Sequence, residues 1–161
     1  MSHRKLIPIG VLVFFIQFFL LEYLTIEFTR PDFILIFILY VAIEKGSTAG
    51  VLYGFIFGLL EDLVGVGSLF GLAPFTKSIL GFSVGFLQGR YTRMNPIAYH
   101  VIWSSLTVIY FLIYVYIRFQ DVYEFSQLLF WKTWFFTMLY TFAFILIFQV
   151  IRPIQKVSQG N

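Results

Sequence analysis

The 161-residue sequence has no cysteine, and only 12% of its residues are charged. The first absence excludes a disulfide framework and any thiolate metal site. The second excludes an ordinary soluble domain, in which about 25% of residues are charged. With 60% of the residues hydrophobic and 22% aromatic, so few charges could not cover the surface, and lipid is the expected solvent for most of the chain. Catalytic patterns are missing too. The two histidines, His3 and His100, lie far apart and read as interfacial or hydrogen-bonded side chains. There is no nucleophile–base pair, His/Asp metal spacing, Walker loop or dinucleotide fingerprint. Glu61 and Asp62 are adjacent, which on a helix aims them about 100° apart and suits paired acid–base chemistry badly. Polar segments are too short for a catalytic domain, and the basic residues are scattered instead of forming a nucleic-acid patch. An enzyme, a metal or cofactor carrier and a nucleic-acid binder are therefore not expected.

What the chain has in abundance is apolar sequence in segments. An all-α membrane protein of one domain is predicted, with six transmembrane helices at 6–24, 31–44, 47–61, 74–88, 97–117 and 128–151. The run after Lys5 superficially resembles a signal peptide. It is bulky and aromatic with no small-x-small cleavage site, so a retained span is expected. The first, fifth and sixth segments are long enough for a hydrocarbon core of about 30 Å. The apolar runs of the other three cover only about 20–22 Å and need a thinned bilayer or shielding by the longer helices. Pro31 beside Asp32, Pro74 and Pro96 mark helix starts, and Gly46 can end the second helix. A re-entrant hairpin of helices two and three is an open alternative to two full spans.

Six spans put both termini on one side, and the positive-inside rule makes that side the cytoplasm. Arg4, Lys5, Lys45, Arg90, Arg93, Arg152 and Lys156 then lie inside, and Arg30, Lys77, Arg118 and Lys132 outside. Glu44 is the one acid inside, with Glu22, Glu27, Asp32, Glu61, Asp62, Asp121 and Glu124 outward. Trp131 and Trp134 flank Lys132, and Trp103 lies toward the inner end of helix five, as aromatic belts require. The segment 118–127, RFQDVYEFSQ, reads as a hydrophilic outer loop resting on the membrane or touching a partner.

The stretch GSTAGVLYGFIFG aligns Gly46, Gly50, Gly54 and Gly58 on one helix face. Helix four repeats the device in GFSVGFLQG, with Gly81, Gly85 and Gly89. In lipid, helices gain little by hiding apolar side chains from one another, so close backbone contact through small residues becomes a main source of association. The grooves either pack the bundle internally or receive a partner's helix. Beyond them, Glu61 and Asp62 sit at a helix C-terminal end and Lys77 in a first turn, each against the helix dipole. These groups are expected near the outer face, with Lys77 paired to Asp62 or Glu61 and pinning the glycine-rich 65–71 loop. A sharper alternative makes Asp62 and Lys77 a proton or substrate relay. Glu22 and Asp32 are expected at the interface, and Gln17 in an interhelical hydrogen bond.

The segment RPDFILIFILYVAIEKGSTAGVLYGFIFGLLEDLVGVGSLFGLAPFTKSILGF resembles the core of the MreD family, the rod shape-determining membrane proteins of bacteria. Arg30-Pro31-Asp32, the Glu44-to-Gly58 glycine segment, the Gly58-Leu59-Leu60-x-Asp62-Leu63 run, Gly71 and Lys77 through Gly85 carry the match, over about a third of the chain. The resemblance implies a fold similar to the six-helix substrate-binding components of energy-coupling-factor vitamin transporters. It also implies a non-catalytic scaffold in the bacterial inner membrane. Its implied partners are the bitopic protein MreC, with MreB, RodA and a class B penicillin-binding transpeptidase, in directing side-wall peptidoglycan synthesis. A vitamin-type transporter component is the competing reading. If Lys77 pairs with Asp62, charge reversal at Lys77 destabilises the protein and Asp62→Lys rescues it, which a thermal-stability assay of the single and double variants reads directly.

Overall fold

A computed structural model describes residues 3–25, 29–64 and 69–154. The expectations for Glu27, for residues 65–68 of the loop and for Lys156 fall outside these residues, as do those for the side chains of His3 and Glu22. The described chain forms α1 (His3–Leu24), α2 (Phe33–Lys45), α3 (Ser47–Val64), α4 (Leu72–Gly85), a one-turn 3-10 helix (Tyr91–Arg93), α5 (Pro96–Arg118), α6 (Gln120–Phe125) and α7 (Gln127–Ile151). The predicted outer loop at 118–127 is thus largely a short helix. Asn95 caps α5, its side chain accepting the Ile97 N–H, and Pro96 opens it. Ser126 caps α7 in the same manner through the Leu129 N–H.

The helix α2 is the centre of the molecule. Its sequence, FILIFILYVAIEK, is apolar on every side, as befits a helix walled in by protein. Every residue from Phe33 to Glu44 except Tyr40 is buried. One apolar cluster joins α2 to α4, α5 and α7 through Leu35, Leu39, Leu80, Val84, Trp103, Phe111 and Ile145. A second joins its opposite side to α1 and α3 through Leu6, Ile34, Ile38, Tyr53 and Phe57. The outer helices keep their apolar faces outward: Phe15 and Phe19 on α1 are exposed, as are Phe136, Leu139 and Leu146 on α7. Among the described residues three helices, α3, α5 and α7, are long and apolar enough to cross a membrane, and only 11% of the apolar window of α7 is buried. The structure carries α3 on to Val64, so it reaches the length of a span that the shorter predicted segment lacked.

The most extensive contact is between α3 and α4, and it is made by backbone. A methyl group added at Gly50 would overlap the carbonyl of Gly81, and one at Gly81 would overlap that of Gly50. Likewise Gly54 faces the backbone of Lys77 and Ser78, Gly58 faces Pro74, and Gly85 faces Ser47. The two glycine faces therefore fill one another in antiparallel register, and between them no groove is open to a partner's helix. Gly46 and Gly89 stand outside both helices at positive φ, +87° and +65°, where they turn the chain after α2 and after α4. Sequence reasoning passed over Gly10, whose missing side chain leaves room for the rings of Phe57 and Phe37.

Gly50→Leu and Gly81→Leu should each destabilise the protein by about 3 kcal/mol or more, because backbone cannot yield as a side chain can. Leu52→Ala, on the exposed side of α3, should cost far less. The fraction of monodisperse protein remaining after heating in detergent separates the two cases.

Candidate functional site

Three of the residues that sequence reasoning singled out for charge, Asp32, Glu61 and Lys77, converge on the buried N-terminus of α2. The chain enters this helix through Pro31 and Asp32, both buried and not helical. Irregular backbone inside a membrane protein needs partners from the protein itself. Gln17 on α1 supplies two, donating to the Pro31 carbonyl at 3.3 Å and accepting the Phe33 N–H at 2.7 Å. Thr141 on α7 accepts the Asp32 N–H at 3.2 Å. The Asp32 carboxylate caps the helix by accepting the Leu35 N–H at 2.7 Å.

The second oxygen of that carboxylate meets the ammonium of Lys77 at 2.9 Å and accepts the Tyr110 hydroxyl at 3.3 Å. Lys77 has no exposed side-chain surface. Its ammonium also pairs with Glu61, whose side chain is 20% exposed, and lies 5.9 Å from the ring centre of Tyr114. Arg118 donates to the Tyr114 hydroxyl at 2.6 Å and interacts electrostatically with Glu61 and Asp62. Two carboxylates thus share one ammonium, and a guanidinium one helical turn along α5 stands beside them. Each group is held by a different helix, so the cluster ties α2, α3, α4 and α5 together.

Asp62 does something else. Its carboxylate accepts the N–H groups of Gly71 at 2.7 Å and Ala73 at 3.4 Å, closing the N-terminus of α4. Of the two partners expected for Lys77, Glu61 is the one it meets, and Asp32 joins it. The expected outer position also needs correction. Tyr110 lies about 21 Å of helix from the start of α5 and about 12 Å from its end. Thr141 lies about 21 Å from the start of α7 and about 15 Å from its end. Asp32, expected at an interface, is therefore deep in the bundle, and Lys77 no longer counts as an outer-loop charge. Short α2 begins at this depth because Gln17, Thr141 and Lys77 satisfy its polar end there.

A second polar group closes the opposite end of the bundle. Glu44, buried near the end of α2, pairs with Arg152 at 2.7 Å, and the Tyr40 hydroxyl donates to the Arg152 carbonyl at 3.0 Å. Gln88 donates to the Glu44 carbonyl at 3.2 Å. His100 accepts the Trp103 indole N–H at 3.0 Å. Among the described residues, no group of three His, Cys, Asp or Glu side chains could hold a metal ion.

A family model described as rod shape-determining protein MreD matches residues 4–157. The chain belongs to the MreD family. No curated protein and no solved structure gives a significant match. Membership assigns this MreD protein a role in rod shape determination and makes its apolar helices those of a membrane protein. Sequence reasoning missed Tyr110, Tyr114, Thr141 and Arg118 as members of the cluster of this MreD chain. The signal available was weak: single polar groups inside long apolar helices, with nothing to say which faced inward.

Removing one partner of a buried ion pair leaves the other uncompensated, at a cost of about 3–5 kcal/mol. Lys77→Met should therefore cost about that much stability. Adding Asp32→Asn and Glu61→Gln should recover part of the loss, whereas adding Asp62→Asn should recover none. Detergent thermal melts of the four proteins check this, and rescue by Asp62→Asn would assign the pair wrongly.

Proposed function

We propose that this protein is a non-catalytic scaffold of the cell-elongation machinery in the bacterial inner membrane. In this reading it binds MreC and, in a larger complex with MreB, RodA and a class B penicillin-binding transpeptidase, helps direct side-wall peptidoglycan synthesis. The observation that carries the reading is the family match over residues 4–157. The proposed architecture is six spans, formed by α1 to α5 and α7, with both termini in the cytoplasm and a fold similar to energy-coupling-factor substrate-binding components. The basic residues at the Lys45 and Arg152 end support that orientation.

The internal pairing of the glycine faces moves the proposed partner surface. MreC would meet the outer rim between α3 and α4, where Leu63, Phe70 and Phe75 are 62%, 67% and 63% exposed. The vitamin-type transporter reading keeps its own discriminating outcome, co-purification of a small molecule.

Photocrosslinkers at Phe70 and Phe75 should capture MreC in membranes, and those at Phe15 of α1 and Leu146 of α7 should not. Capture from α1 and α7 alone would put the interface elsewhere, and failure of MreC to co-purify at all would count against the scaffold. A C-terminal fluorescent reporter should light up in the cytoplasm; periplasmic phosphatase activity from the same fusion point would overturn the topology.

A further inference from the structure

The connection between α4 and α5 forms an arginine fork, and we propose that it binds the phosphate of an anionic phospholipid headgroup. Gly89, at φ +65°, turns the chain out of α4, and Arg90 to Arg93 then make a single 3-10 turn in which the Arg93 N–H donates to the Arg90 carbonyl at 3.0 Å. In a 3-10 helix the side chains at i and i+3 eclipse. Arg90 and Arg93 are thus stacked along one side, and both are exposed. The turn is held from below: Leu87 is buried, and Tyr91 and Met94 pack on the main core. Tyr91 stacks edge-on against Tyr99 and His100, which continue to Trp103. Tyr99 and Trp103 are buried in the main core, so this aromatic stack fixes the turn to the body of the protein.

The charge of this end singles out the occupant. Antiparallel packing brings Arg4 and Lys5 of α1, Lys45 of α2, the fork and Arg152 to the same end. Among the described residues Glu44 is the one acid there, and its carboxylate is taken by Arg152 at 2.7 Å and Lys45 at 3.6 Å. The fork is left with an excess of positive charge, and on the proposed six-span topology it connects two spans at a membrane edge, where lipid phosphates lie. Two guanidiniums on a fixed turn suit bidentate recognition of phosphate. The inference needs only that the helices span the bilayer, and holds whichever partner docks on the outer rim.

The test is native mass spectrometry of the full-length detergent-purified protein titrated with phosphatidylglycerol or with phosphatidylcholine. The wild-type protein should prefer phosphatidylglycerol, and the Arg90→Gln/Arg93→Gln variant should bind it roughly twenty-fold more weakly with phosphatidylcholine unchanged. Arg90→Lys/Arg93→Lys should fall between, because charge is kept and the fork is lost. A folded glutamine variant that binds phosphatidylglycerol like the wild type overturns the proposal. So does displacement of the lipid by excess inorganic phosphate, which would mark a free-phosphate site, or by an acidic peptide, which would mark a protein partner. If the glutamine variant does not fold, the wild-type protein decides: lipid preference unaffected by raised salt would exclude a phosphate contact through exposed arginines.

Discussion

An ammonium group in a hydrocarbon environment must have its countercharge beside it, and Lys77 has no exposed side-chain surface. That requirement organises the core of this protein. Asp32 answers it from the start of α2, Glu61 from the end of α3, and Tyr110 from α5 adds a hydroxyl to Asp32. Because each group comes from a separate helix, the cluster can form only when four helices are correctly placed together. A bundle in lipid lacks the hydrophobic drive that would otherwise enforce one arrangement, so a paired charge supplies specificity that apolar contacts alone do not.

The glycine seam and the charge cluster are one device. Gly54 lies against the backbone of Lys77 itself, so the approach of α3 to α4 sets where the lysine begins. With a larger residue at Gly54 the lysine would move outward from Asp32. Farther from the cluster, Gly50–Gly81 and Gly85–Ser47 continue the contact toward the end that carries Glu44 and Arg152. The two ionic groups thus sit at different depths of α2, one at its N-terminus and one near its C-terminus. Between them, from Phe33 to Leu39, α2 presents only apolar side chains.

Much of this was legible from the residues. The all-helical character followed from the apolar runs, and Pro96, Gly46 and Asp32 do stand at helix ends, but six helices were expected where the described residues form seven and a 3-10 turn. The need for close contact followed from glycine spacing, and the hydrogen-bonding role of Gln17 from its place in an apolar helix. Spacing says which residues share a face, but not which helix that face meets. For that reason the glycine grooves could be read as internal or as a partner's, and Lys77 could be given Asp62 as readily as Glu61. Adjacent residues on a helix point in different directions, which is why Glu61 turns to the lysine while Asp62 caps α4.

The depth of the cluster was the largest difference. Asp32 follows a proline at a helix start, which by itself suggests an interface. It lies deep because Gln17 and Thr141, fifteen and more positions away in sequence, satisfy the irregular backbone around it. The sequence by itself determined a lipid-embedded helical chain with two glycine faces and too few charges for water. Only the tertiary structure decided which faces meet and where the charges lie, because in lipid a polar group's position is set by partners from distant helices and not by its neighbours in the chain.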